Sequence, residues 1–141
     1  MTLEFRFKKI LLITMILVFG SFISGCATVP VGFDFLTVEV EHKTTDRFLD
    51  DVPRSATEPR AGFHSVQHGT NYVLKEIEDA GYSVSSWEIK DSFGNLIKEV
   101  ASPHELKVLT NLIIVANIEC ATDDVCIRGY VCIDSVCHFS D

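Results

Sequence analysis

The sequence predicts a mainly β protein, in which one small β-sheet domain follows an N-terminal signal helix and leads into a C-terminal disulfide knot. Three observations predict this fold class. Apolar and polar residues alternate in "LTVEVEH" (36–42) and "YSVSSWEI" (82–89), the period-two pattern of half-buried strands. An uncharged apolar run occupies residues 10–22, and four cysteines crowd residues 120–137.

The charge distribution argues against a nucleic-acid partner. The chain of 141 residues has a net charge of −8, and its first 25 residues carry +2, which leaves −10 for the remainder. An acidic surface of this kind repels phosphate groups. No basic stretch with interleaved aromatic residues is present. We therefore expect no binding to DNA or RNA.

Residues 1–25 have the order of a secretory signal peptide. Arg6, Lys8 and Lys9 precede the apolar run, and small residues follow it at Ser24 and Gly25. The alternative is a transmembrane helix. The uncharged run is shorter than the roughly 20 apolar residues that span a bilayer. The order therefore favours a cleaved signal peptide.

The tetrapeptide Ile23-Ser24-Gly25-Cys26 resembles the bacterial lipobox. The resemblance implies that Cys26 is acylated, becomes the mature N-terminus and holds the protein on the membrane through its lipid. It also implies a lipid-anchored location in the bacterial cell envelope. Ala27, rather than Asp, follows the cysteine and favours the outer membrane if the bacterium has two. An ordinary signal peptide with an unmodified cysteine is the alternative.

The remaining cysteines are predicted to form two disulfides, because an exported chain enters an oxidising compartment. A zinc site is the alternative, but structural zinc sites usually separate paired cysteines by two to four residues. Here the gaps are five, five and four residues, so we expect no metal. Three connectivities are possible. We favour the crossed connectivity because it interlocks the loops. It joins Cys120 to Cys132 and Cys126 to Cys137.

The C-terminal stretch resembles the C-x-x-D-x-x-C-x-x-G-x-x-C-x₄-C unit of small secreted cysteine-rich modules. We therefore divide the chain into a signal peptide (1–25), a tether (26–34), a β domain (35–118) and a cysteine-rich module (119–141). The β domain is expected to complete its core before residue 119 and to fold alone.

Within the β domain, Leu36, Val38 and Val40 share one face of a strand, and residues 43–62 form a polar loop. Residues 70–80 fit either a helix or a strand. "KDSFGN" (90–95) predicts a turn and "LIKEV" (96–100) a return strand. "ELKVLTNLIIVANIE" (105–119) holds one or two strands, with a possible turn at Thr110-Asn111, and the strand after that turn is expected to be central and covered on both faces.

The spacing of several residues in this domain resembles the divergent internalin-type B repeat. The residues that carry the likeness are Gly69-Thr70, Leu74, Gly81-Tyr82, Trp87 and Ala116-Asn117-Ile118. The resemblance implies a strand at 70–77 and a small β module of bacterial surface proteins. Gly81, Tyr82 and Trp87 are the expected structural residues. A glycine supplies a turn conformation with positive φ, and one tryptophan fills much of a small core.

No catalytic or cofactor motif appears in the sequence. It has no G-x-S-x-G elbow and no glycine-rich phosphate loop. His64 and His68 lack an evident third metal ligand and are interpreted as exposed histidines. We expect no enzyme and no cofactor, but a lipid-anchored, non-catalytic β binding or structural module at the cell envelope. Its partner would be a protein or glycan at the cell surface.

Particular arrangements would distinguish this function from its alternatives. An exposed apolar patch around Phe93, Tyr130 or Phe139 favours the binding module. A small hydrolase requires His64 or His104 to converge with an acid and a serine. A carbohydrate-binding face requires Tyr72, Tyr82 and an exposed Trp87, whereas we expect Trp87 to be buried.

Overall fold

The structure, a computed structural model, describes residues 34–141. The predicted signal peptide, Cys26 and the predicted tether up to residue 33 lie outside the described residues. Among residues 34–141, no helix has the length and apolar character of a membrane span. These residues contain ten strands: β1 (Phe35–Lys43), β2 (Thr57–Glu58), β3 (Gly62–Gln67), β4 (Asn71–Glu76), β5 (Tyr82–Asp91), β6 (Leu96–Val100), β7 (His104–Lys107), β8 (Leu112–Cys120), β9 (Tyr130–Ile133) and β10 (Val136–Phe139).

The strands form three sheets. A five-stranded sheet has the order β3-β1-β8-β5-β6, a three-stranded sheet has the order β2-β4-β7, and β9 pairs with β10. Strands β1 and β8 run parallel, and the other pairs are antiparallel. The mainly β class and the disulfide-linked C-terminus are confirmed. The strands of the β domain divide between two sheets.

Strand β8 lies at the centre of the five-stranded sheet because it is the most apolar strand of the chain. It pairs with β1 on one side and β5 on the other. Leu112, Ile114, Ala116 and Ile118 point into the core. Val115 is buried on the opposite face, whereas its neighbours there are only half-buried, so that face is partly covered.

Most of the predicted strands are confirmed. Residues 71–76 form β4, which settles the choice between helix and strand. Strands β5 and β6 form the predicted hairpin, and residues 108–111 separate β7 from β8. The predicted loop at 43–62 contains a 3₁₀ turn (Arg54–Ala56) and the short strand β2. Leu49 from this loop is buried in the core.

Trp87 is buried as expected, but Val84 does not lie on the face that the alternation in residues 82–89 predicts. Simple alternation places Val84 and Trp87 on opposite faces of the strand. In the structure both side chains enter the core, with Trp87 0% exposed. The register with β8 shifts between Val84 and Ser86, and the extra residue of this bulge, Ser85, faces solvent. A bulge reverses the alternation because it adds one residue to one strand.

The core also extends into the cysteine-rich segment, contrary to the expectation that it ends before residue 119. Cys120, Val125, Cys126 and Cys137 belong to the same hydrophobic cluster as Trp87. Strand β8 runs through the expected boundary between residues 118 and 119 without a break. The β domain and the cysteine-rich segment therefore share one core.

The disulfide knot (residues 120–141) is closed by the crossed pairing, Cys120–Cys132 and Cys126–Cys137. It is also bound to the 43–62 segment. The Asp46 carboxylate accepts a hydrogen bond from the backbone of Cys137 at 2.7 Å. The ring of Tyr130 stacks on Phe48 with centroids 4.3 Å apart. These contacts fix the knot on the β domain.

Gly81 is the second point at which the knot meets the β domain. Its φ of +79° lies in the left-handed region, as expected from the sequence. Its carbonyl oxygen accepts hydrogen bonds from the amides of Ala121 and Thr122. A Cβ atom at this position would lie 2.6 Å from Cγ1 of Val125. Only glycine therefore fits both the backbone conformation and the knot packed against it.

We expect Trp87→Ala to abolish cooperative unfolding. Truncation of a buried tryptophan costs about 3–5 kcal/mol, a large part of the roughly 5–15 kcal/mol that stabilises a small domain. Trp87→Phe is the matched control, because it keeps an aromatic ring and removes an indole N–H that has no acceptor. Circular dichroism during heating measures both variants. If Trp87→Ala melts like the parent, the core is assigned wrongly.

We expect Gly81→Ala to destabilise the protein more than Gly94→Ala. Both glycines have similar positive φ, so both variants incur a cost of roughly 1–2 kcal/mol. Only Gly81 also meets the knot, since nothing lies within 4 Å of a Cβ at Gly94. Overpacking adds about 1–3 kcal/mol. Urea unfolding compares the two, and equal losses would show that the knot does not pack tightly at Gly81.

Candidate functional site

The predicted structural residues lie in the core and beside the knot rather than in a binding site. Trp87 is fully buried, and Tyr82 is half-buried with its hydroxyl 3.4 Å from the carbonyl oxygen of Asp51. A carbohydrate-binding face that uses Trp87 is therefore not available. Cys26 lies outside the described residues.

The cysteines offer no metal site in the part of the chain that the structure describes. Sulfur atoms of Cys120, Cys126 and Cys137 lie within 4.8 Å of one another. All three residues are, however, engaged in the two disulfides. A metal requires thiolate ligands, which a disulfide does not supply.

The histidines named for the hydrolase alternative do not meet a serine. His64 Nε2 lies 2.7 Å from the carbonyl oxygen of Arg60. His104 Nε2 lies 3.2 Å from Nζ of Lys98. The hydroxyl of Ser102 instead donates to the carboxylate of Glu76. Among residues 34–141 no serine hydroxyl is hydrogen-bonded to a histidine, which is the contact that activates a serine nucleophile.

A threonine does contact a histidine, but its geometry is structural. His42 Nε2 lies 2.7 Å from Oγ1 of Thr57. The Thr57 hydroxyl donates its proton to the carbonyl oxygen of Pro59 at 2.9 Å, so it accepts from the His42 N–H. Burial lowers the pKa of His42. Thr57 is 2% exposed, so this pair links β1 to β2 and offers no access to a substrate.

A groove of about 630 Å³ lies between β3 and β4 in the described part of the chain. A second depression of about 520 Å³ shares Arg60 and His64 with it. We call the two together the β3–β4 groove. The volume of the first part is within the range of about 300–1,000 Å³ that is typical of ligand sites. Its lining residues are 58–60, 64–67 and 70–73, joined in the second depression by 54–55 and 61–63.

The groove exists because two consecutive strands belong to different sheets. Only residues 68–70 separate β3 from β4. Strand β3 nevertheless pairs with β1 alone, and residues 71–74 of β4 pair with β7 alone. The facing edges of β3 and β4 are not paired with each other, and the groove lies between these edges.

The groove combines aromatic, polar and positively charged groups with one carboxylate, that of Glu58, whose Oε2 lies 3.1 Å from Nζ of Lys75. The rings of His64 and Tyr72 meet edge to face with centroids 6.4 Å apart. Burial raises the pKa of the Tyr72 phenol, which therefore stays neutral and keeps its proton to donate. Arg54 donates from Nε to the carbonyl oxygen of Ala61 at 3.1 Å.

The two arginines of the groove have no acidic partner. In the described part of the chain, the ion pairs involve Lys43, Lys75 and Lys90, not Arg54 or Arg60. No arginine of residues 34–141 forms an ion pair, and Arg54 and Arg60 are the two that line the groove. They make the groove suitable for a ligand that carries a carboxylate or another anion. Sequence reasoning named His64 and Tyr72 but did not identify either arginine as a site residue.

The exposed aromatic residues do not form one patch. Phe93 is 89% exposed in the β5–β6 turn, next to Asp91, which pairs with Leu112 at the start of β8. Phe139 is 67% exposed and contacts Tyr130 in the knot, which joins the opposite end of β8 at Cys120. The groove is therefore a better candidate site than these residues.

No protein-family model, curated protein or solved structure matches this chain.

A separate charged cluster lies on the outer face of the five-stranded sheet. Glu88 accepts from Lys90 at 2.7 Å, from Asn117 at 3.2 Å and from Lys43 at 3.4 Å. The hydrogen bonds from Lys90 and then Asn117 hold the pKa of Glu88 at about 2, below its ordinary value of 4.5. These contacts connect β1, β8 and β5, so the cluster stabilises the sheet.

We expect the Glu88 cluster to make stability depend on pH in the acid range. Because the folded-state pKa is lowered, the contribution is present above pH 4.5 and is lost as the pH falls toward about 2. Solvent screens this surface cluster, so we expect a loss of about 1 kcal/mol. Glu88→Gln should remove that loss. Glu105→Gln is the control, because Glu105 forms no ion pair within residues 34–141. Urea unfolding at several pH values gives the measurement, and identical pH profiles for the parent and Glu88→Gln would contradict the assignment.

Proposed function

We propose that this chain is a bacterial lipoprotein that displays a non-catalytic β binding module at the cell envelope. The observation that carries the binding role is the open β3–β4 groove, in which Arg54 and Arg60 lack acidic partners. Its ligand would be a protein or glycan at the cell surface. No resident cofactor is part of the proposal.

The anchor in this proposal is the lipid on Cys26. The support comes from the Ile23-Ser24-Gly25-Cys26 sequence after a short apolar run. Each buried CH₂ of an acyl chain contributes about 0.8 kcal/mol, so several chains give a lasting anchor. A tether of residues 26–34 extends to about 30 Å at most. The groove would therefore work close to the membrane surface, at the outer membrane if the bacterium has two.

The rigidity of the module supports binding rather than a merely structural role. Strands β3 and β4 are held by β1 and β7, and their inner residues Val66 and Leu74 belong to the shared core. A preformed groove loses little conformational entropy when a ligand enters. The likeness to the B repeat of bacterial surface proteins agrees with a displayed module of this kind.

The hydrolase alternative lacks the serine–histidine hydrogen bond that would support it within residues 34–141. Its serine and histidine candidates bind other groups, with Ser102 on Glu76, His104 beside Lys98 and His64 at the Arg60 carbonyl. A hydroxyl whose proton goes to a carboxylate without a histidine between them differs from the nucleophile–base pair of known hydrolases.

We expect Cys26→Ser to leave the precursor without lipid and uncut before residue 26, because the thiol is the acyl acceptor. Intact mass spectrometry of membrane and soluble fractions measures both steps. Ser24→Ala is the control, since it keeps a small residue in the tetrapeptide and the thiol. A mature parent protein that begins at Ala27 or Thr28 and carries no lipid would overturn the anchor.

A further inference from the structure

The outer edge of β3 has unpaired backbone groups. The amide of His68 donates to the carbonyl oxygen of Asp34 at 2.9 Å, which fixes the hydrogen-bonding phase of the β1–β3 ladder. In an antiparallel pair, every second residue bonds to the partner strand and the residues between them point away. The backbone groups of Gly62, His64 and Val66 therefore bond to β1. The backbone groups of Phe63, Ser65 and Gln67 point away from β1, toward the groove.

The first half of β4 has an open edge as well. The amide of Val108 donates to the carbonyl oxygen of Thr70 at 2.9 Å, which fixes the phase of the β4–β7 ladder. By the same alternation, Asn71 and Val73 direct their backbone groups away from β7. That side of β4 is occupied by β2 only as far as the pair Glu58–Lys75. At residues 71–74, where β2 is no longer alongside, this edge of β4 faces the groove.

We propose that the β3–β4 groove binds an extended acidic peptide, which adds as a strand to the open edge of β3. The peptide backbone would bond to Phe63 and Ser65 on one side and approach Asn71 and Val73 on the other. Strand addition of this type uses main-chain hydrogen bonds for affinity and side-chain contacts for specificity. Neighbouring strands lie about 4.8 Å apart, so the peptide would partly bridge the two sheets.

The acidic character of the peptide follows from the two arginines. Arg60 lines both parts of the groove, and Arg54 lines the second part. A Cβ atom at Gly62 would lie 2.8 Å from a guanidinium nitrogen of Arg54, so the glycine allows the arginine to lie against the strand. A planar guanidinium binds a carboxylate through two parallel hydrogen bonds. A carboxylate side chain at the Arg60 end of the peptide would supply the missing partner.

This inference deepens the proposed function, because it rests on the binding role of the module and names its ligand class. It does not depend on the lipid anchor. A failure of the Cys26→Ser experiment would therefore leave the peptide site standing. A failure of the peptide experiment would remove this ligand and leave the anchor standing.

The test uses the purified mature protein in detergent and a fluorescein-labelled heptapeptide of alternating valine and glutamate. Fluorescence anisotropy measures binding. We expect the lysine counterpart of the peptide to bind at least tenfold more weakly. Arg60→Glu should also weaken the acidic peptide at least tenfold, whereas Arg128→Glu, in the exposed part of the knot, should leave it unchanged.

Two further probes distinguish strand addition from simple charge attraction. Ser65→Pro removes an edge N–H that does not bond to β1, and proline is tolerated at such positions. We expect it to weaken binding at least tenfold, with Ser65→Ala unchanged. N-methylation of alternate peptide amides should have the same effect and requires no change in the protein. Hydrogen exchange at the amides of Ser65 and Val73 should slow when the peptide binds.

Three outcomes would overturn the proposal. The acidic peptide fails to bind, or it binds equally well after both N-methylation patterns, or a uronic acid oligosaccharide binds with the same Arg60 dependence while the peptide does not. In the last case the groove is a glycan site. If Ser65→Pro lowers the melting temperature into the assay range, the N-methylated peptides decide the question.

Discussion

The burial of β8 is the constraint on which the rest of the structure depends. This strand supplies Leu112, Ile114, Ala116 and Ile118 to the core, and its pairing with β1 and β5 leaves neither edge of so apolar a strand open to aggregation. Strand β5 pairs with it and brings Trp87 into the centre of the core. The last residue of β8 is itself a disulfide cysteine, so the same strand also fixes the knot.

The division into two sheets follows from the need to cover this core. The five-stranded sheet has one face lined by Trp87 and its neighbours, and a single layer of strands leaves that face in water. Strands β4 and β7 cover it with Leu74 and Leu106, and Val108, which directly follows β7, belongs to the same hydrophobic cluster. The chain changes sheet between β3 and β4, so the groove results from the packing that protects the core.

An open strand edge is normally a risk, because unpaired backbone groups favour aggregation. At β3 the risk is moderated by polar and charged neighbours such as Ser65, Gln67 and Arg60. The same features suit an edge that accepts a specific partner.

The knot, which follows β8 in the chain, has too few residues for a core of its own. Its two disulfides and the pairing of Tyr130 with Phe48 compensate for this.

The sequence by itself determined the mainly β class and strands such as β1 and β5, because period-two alternation depends only on local order, and the number and spacing of its cysteines indicated the two disulfides. It also indicated that Trp87 is buried. Only the tertiary structure decided that Val84 and Trp87 share a face, since the bulge at Ser85 is set by the register with β8. It alone decided the parallel pairing of β1 with β8 and the edges left unpaired at the groove. Such pairings join residues far apart in sequence, and their selection depends on the total area buried rather than on any local pattern.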